Sequence, residues 1–103
     1  MIETVSMRWI KAQASGPFFS PRAMKFFNSR LPDTGLRNGD RVFFWTSERC
    51  DWAGDAERQF TLRMLDLVTG KVDTVGEFQQ YPTAAAAQAA VRNAARNGIE
   101  VPS

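Results

Sequence analysis

The chain has 103 residues, 44% of them apolar and 12% aromatic, and 13 basic against 11 acidic side chains leave a net charge of +2. That aromatic content excludes a disordered chain, and the near-balanced charge neither demands nor excludes a nucleic-acid partner. With no His and a single Cys, Cys50, the common hydrolase triads, an internal disulfide and most zinc sites are out of reach.

One domain over 1–103 is expected, with an ordered core at about 4–98 and a tail at 99–103. No apolar run has the length of a membrane span, and the first residues lack the pattern of a signal peptide. A reducing cytoplasm is the expected compartment.

In chain order, residues 4–13 read as a strand, with Val5, Met7 and Trp9 alternating on one side. Gly16-Pro17 breaks it. Ser20-Pro21 starts a short helix through about Ser29, because Ser caps free amides and Pro fits the first helical turn. Its apolar face would be Ala23, Met24 and Phe27. Pro32 and Asp33-Thr34-Gly35, then Asn38-Gly39-Asp40, read as a turn-rich connection.

Arg41–Ser47 is a strand whose apolar residues fall on both sides, so both faces should be covered. A polar loop over 48–57 follows. Arg58–Leu67 and Lys71–Phe78 then form a hairpin, with Gly70 in the left-handed position that closes its turn. Thr83 caps an Ala-rich helix over 84–96, which should pack across the sheet and bury Phe60, Leu62, Phe78 and Val91. The expected class is α+β: a three-stranded antiparallel sheet with helices on one face, and an extra N-terminal strand as an option.

Glu48, Asp51, Asp55 and Glu57 place four carboxylates within ten residues, a set able to hold Mg²⁺ or to serve acid–base work. Arg49 and Arg58 flank them, so a solvated loop is the expected reading, with no cofactor and no metal. Ten of the thirteen cations are Arg, the cation suited to phosphates and to interface anchors. Trp52, an aromatic in a charged loop, is the first candidate to anchor a protein partner, with Arg49 beside it. Arg41, Arg49, Arg58 and Arg63 are the candidates for phosphate contacts.

The segment 58–63, the Thr69-Gly70-Lys71 turn and the helix after Tyr81-Pro82-Thr83 look like the arm-type DNA-binding domains of phage integrases. That likeness implies that an exposed sheet face carrying Thr61 and Arg63 enters a groove. Asp73 and Glu77 on the next strand would repel phosphate.

Phe18-Phe19-Ser20, the run from Met24 to Arg30, Thr46-Ser47-Glu48 and the run from Thr74 to Gln79 together resemble a family of small uncharacterised proteins of phages and plasmids. The resemblance spans roughly residues 9–95 and implies a genetic context without an activity. The expected function is a non-enzymatic mobile-element accessory protein that binds and modulates a partner, a host defence protein being one candidate. The alternative is a DNA- or RNA-binding module using the sheet face and its arginines. No membrane and no small-molecule substrate is expected as a partner.

Overall fold

The computed structural model describes residues 2–15, 18–26, 29–49 and 58–97. The protein is built on an antiparallel sheet of five strands in the order β1-β2-β3-β4-β5, namely Ile2–Ser6, Thr34–Asn38, Arg41–Glu48, Gln59–Asp66 and Val72–Thr74. Three helices accompany it among the described residues: α1 at Met7–Gln13, α2 at Pro21–Phe26 and α3 at Ala84–Asn97. The α+β class holds, but the sheet has five strands and not three. Helices also lie on both of its faces rather than one.

The N-terminal segment is the first correction. Only residues 2–6 are extended; Ser6 then caps α1, its hydroxyl accepting a bond from the Trp9 amide at 3.1 Å. Val5, Met7 and Trp9 fit a period of two, yet Met7 and Ile10 fit a helical stripe equally well, and they are the buried residues of α1. The cap decides between the two. The optional N-terminal strand therefore exists, but is shorter than expected.

The second correction is β2, which stands where a turn-rich connection was expected. A Cβ at Gly35 would come within 2.8 Å of Ile10 Cδ1 and 2.9 Å of the Phe43 carbonyl oxygen. Gly35 is there because α1 presses onto the strand, a close approach that sequence cannot tell from a turn. The turn itself is confined to Gly39-Asp40 between paired Asn38 and Arg41.

The side facing α3 packs Phe43, Leu62, Met64 and Val75 against Val91, Ala94 and Ala95. The opposite side packs Val42, Phe44 and Leu65 against Met7 and Ile10, with Phe18 and Phe19 at its margin. Strand β3 is thus covered on both faces, as its composition implies: Val42, Phe43 and Phe44 are all fully buried. Thr83 caps α3 as expected, accepting from the Ala86 amide at 3.1 Å. Its buried residues, Ala87, Val91, Ala94 and Ala95, are small enough to bring the helix axis close to the sheet. Asn38 Nδ2 donates to the Ala95 carbonyl at 2.6 Å, tying β2 to the helix.

Helix α2 starts at Pro21 as expected and spans Pro21–Phe26 among the described residues, with Ser29 outside it. Of its expected apolar face, Met24 is half-buried, while Phe27 lies outside the described residues. So do Cys50 and the tail at 99–103. Strand β5 ends at Thr74 instead of Phe78; the chain turns away after Val75, whose amide still bonds the Leu62 carbonyl at 2.9 Å. Leu62 and Val91 are buried as expected and Phe60 is half-buried, but Phe78 is 46% exposed.

Two outcomes test this architecture. Leu62→Ala removes a side chain packed between sheet and α3 and should cost ~2–5 kcal/mol in urea unfolding; a loss under about 1 kcal/mol would contradict that packing. Gly70 has φ +76°, and a Cβ there would meet Ser15 Oγ at 2.7 Å. Gly70→Val should therefore lower the melting temperature clearly, whereas Thr69→Ser, which keeps the hydroxyl accepting from the Lys71 amide, should be nearly silent. Equal shifts for the two would refute the turn geometry.

Candidate functional site

Side chains alternate across a sheet, so the register fixes which residues share a face. Phe44 pairs with Arg63, Thr46 with Thr61 and Glu48 with Gln59, while Arg63 pairs in turn with Thr74. Thr46, Glu48, Thr61, Arg63 and Thr74 therefore gather on the α1 side, where the apolar half formed by Val42, Phe44 and Leu65 ends. A polar patch inside a sheet must satisfy itself or destabilise the fold.

It does satisfy itself. Arg63 Nη2 and Glu48 Oε1 lie 3.1 Å apart, with side-chain exposures of 11% and 3%. Thr46 Oγ1 donates to Glu48 Oε1 and accepts from Arg63 Nε at 3.0 Å. Thr61 Oγ1 donates to Glu48 Oε2 at 3.1 Å and accepts from the Gln79 amide at 2.8 Å. Arg63 Nη1 donates to Thr74 Oγ1. Because a carboxylate only accepts and an amide N–H only donates, the Thr61 hydroxyl has a fixed direction, as does that of Thr46. The guanidinium also lies over the Phe18 and Phe78 rings, 5.2 and 5.7 Å from their centroids. No buried side-chain nitrogen or oxygen among the described residues lacks a partner.

This network holds a turn. Gln79 is the one non-glycine described residue with positive φ, at 57°. Its amide is bonded to Thr61 Oγ1, and its Nε2 donates to the Glu48 carbonyl at 3.2 Å. Gln80 Oε1 accepts from the Glu77 amide at 3.0 Å and closes the same turn. A left-handed non-glycine residue costs of order 1–2 kcal/mol and persists only where its surroundings enforce it. Here the surroundings are a buried ion pair and its threonines. The turn they enforce carries Phe78 at the surface.

The sequence candidates sort by position. Arg63 is in the network. Arg58, half-buried, donates from Nη1 to Ser47 Oγ at 2.9 Å, and exposed Arg49 directly follows Glu48. Both flank the Glu48–Gln59 pair, at the end of the sheet where the Phe78 turn docks. Arg41 stands at the other end of β3, opposite Asp66, roughly 23 Å from Glu48 at the rise of a strand. Trp52, with Asp51, Asp55 and Glu57, lies outside the described residues. Glu48 was expected in a solvated loop; it is instead the last residue of β3 and 2% exposed. Its carboxylate is committed to Thr46, Thr61 and Arg63, which leaves it poorly placed to bind a cation. Among the described residues, no three His, Cys, Asp or Glu side chains are grouped so as to hold a metal ion.

Sequence reasoning missed Gln79 and the burial of Glu48, placed Thr61 and Arg63 on an exposed sheet face where both are instead enclosed, and placed Phe78 in the core. The available signal was cross-strand: threonines on neighbouring strands opposite a Glu and an Arg, with Gly76 interrupting the alternation before Phe78.

Fold and site together define a class: an α+β protein with a five-stranded antiparallel sheet covered on both faces, whose polar site is structural and whose exposed aromatic sits above it. Within that class the chain belongs to a family of unknown function, DUF7447, whose model matches residues 3–92. No curated protein and no solved structure matches it. No described helix is long and apolar enough to cross a membrane.

The ion pair generates a sharp expectation. Arg63→Met leaves the Glu48 carboxylate buried without its cation and should cost ~3–5 kcal/mol, while Glu48→Met combined with Arg63→Met should recover part of that loss. Strictly additive losses in a denaturant double-mutant cycle would show that the two side chains are not coupled.

Proposed function

We propose that this chain is a non-enzymatic binding protein that docks a partner protein at the end of the sheet carrying Phe78, with Arg49 and Arg58 at the margin of the contact. Within that reading it is an accessory protein of a phage or plasmid that modulates a host protein, as its sequence resemblance suggests. The observation that supports docking is Phe78 itself. It is 46% exposed, and it sits on a turn whose left-handed Gln79 is bonded to buried Thr61 and to the main chain of Glu48. The ring packs over the Arg63 guanidinium yet leaves nearly half of its surface to solvent, and interface anchors are typically aromatic or Arg and preorganised.

Duplex nucleic acid is the competing partner. The sheet face meant to read a groove offers it little, because Thr61 is fully buried and Arg63 is paired with Glu48.

The test compares the full chain with Phe78→Ala and with Val68→Ala, a control at an even more exposed apolar residue, 77% accessible. Proteins co-purified from a host lysate should be lost with Phe78→Ala and kept with Val68→Ala, while both variants melt like the parent. Capture that survives Phe78→Ala, or tight duplex binding that falls steeply with salt, would overturn the docking assignment.

A further inference from the structure

The outer edge of β1, unpaired among the described strands, carries an inference independent of the Phe78 surface. The Met7 amide donates to the Asp33 carbonyl at 2.8 Å, and these residues continue the β1–β2 register, in which Val5 faces Gly35 and Glu3 faces Arg37. Hydrogen-bonded pairs alternate along an antiparallel ladder, so Glu3 and Val5 turn their backbone groups to β2. Ile2, Thr4 and Ser6 turn theirs outward. Strand β1 is the terminal strand on that side of the sheet. Little blunts this edge: the strand contains no Pro, no Lys and no Arg, its one charge is Glu3, and it pairs with β2 without a bulge. The opposite edge is blunted, since β5 is three residues long and turns away at Gly76.

We infer that the β1 edge is a self-association site, at which two copies of this chain join their sheets antiparallel about a two-fold axis through Thr4. The register is forced by the outward groups. Thr4 faces Thr4 of the second copy and exchanges two bonds with it, and each Ser6 amide meets an Ile2 carbonyl. Ser6 is the N-cap of α1, and the carbonyl of an N-cap residue is taken up by the first bond of its helix, so it adds none. Centring the axis on Ser6 instead would run α1 into the second copy.

The side chains suit this register. The one charge on the strand, Glu3, lies opposite Val5 of the second copy and not opposite its own equivalent, and within its own sheet it faces Arg37. Like charges therefore do not meet across the axis. On the α3 side, Thr4 stands beside Thr4, a favourable cross-strand pair, and Ile2, 43% exposed, gains cover beside Ser6. The contact is isologous and closes on itself, giving a dimer and not a fibre. Its small area places it among weak, reversible associations.

The test is light scattering of the full chain from micromolar to millimolar concentration, with amide hydrogen exchange at both ends of the range. The mass should rise from one chain towards two, and the Thr4 and Ser6 amides should become protected as it does, while Glu3 and Val5 are protected throughout. Thr4→Pro removes an outward amide without touching the bonds to β2, and should hold the chain monomeric with its circular dichroism unchanged. Should that variant unfold, Thr4→Lys, which sets two cations face to face, must do the same. A mass that stays at one chain at millimolar concentration overturns the inference, as does a dimer indifferent to Thr4→Lys or one that leaves the Thr4 amide exchanging freely.

Discussion

The buried pair of Glu48 and Arg63 constrains more of this structure than any other contact. Two charges taken out of water gain little net stability over apolar residues of the same size, so the effect of such a pair lies in what it forbids. Strand β4 shows this. A slip of one residue would turn Arg63 into the side packed by α3 and carry Leu62 and Met64 onto the polar half of the other side. The ion pair would then be broken and both halves left unmatched. The same pair explains the composition of its surroundings. Every further lone pair and donor within reach needs a short, directional partner, and Thr46, Thr61 and Thr74 supply hydroxyls while keeping the β-branched shape that suits a strand. The sheet face is divided as a result: apolar under α1, polar towards the end where β3 and β4 leave the sheet.

What this division does for the surface follows from the Thr61 hydroxyl. It has one proton, given to Glu48, and so must accept elsewhere; the Gln79 amide is what it accepts from. A buried charge thereby fixes a backbone conformation at the surface, and with it the position of Phe78. For the proposed docking role such rigidity would count, because an aromatic already held in one position loses little entropy on docking. The ring is also held from below by the guanidinium, so one cation serves both the interior carboxylate and the exposed aromatic.

How much of this was legible in the sequence depended on whether the cause was local. The Thr83 cap and the alanines after it announced α3, Gly70 announced the β4–β5 turn, and apolar residues of both parities announced that β3 is covered twice. Each of those signals acts within a few residues. Gly35 was misread because its reason lies twenty-five residues away, in Ile10. The strand-to-helix switch at Ser6 was misread because Val5, Met7 and Trp9 satisfy two periods, and only the cap distinguishes them. The site was hidden for the same kind of reason. Glu48 is thirteen residues from Thr61 and fifteen from Arg63, so a carboxylate beside Arg49 and Asp51 looked like part of a solvated run. Phe78 was placed in the core because nothing local indicates that Gln79 turns left-handed.

The strand order sets the relation between the two surfaces. Strand β1 is at one edge of the sheet, and the Phe78 turn follows β5 at the other, so engaging one leaves the other open. Two chains joined through β1 would make a ten-stranded sheet with the β5 strands at its outer edges. Nine strand spacings of roughly 4.8 Å put those edges about 43 Å apart before twist is counted. Both α3 helices would lie on one side of that sheet and both polar networks on the other, since a two-fold axis normal to the sheet preserves its faces. Each Phe78 would then face the same side as its twin, at a spacing set by the fold. A weak single contact becomes effective when two such sites engage one assembly, but only where the spacing matches. On the proposed docking reading, the partner such a pair would hold best is one that repeats its own binding surface at the spacing of the two rings, either as a dimer or as successive subunits of a larger assembly.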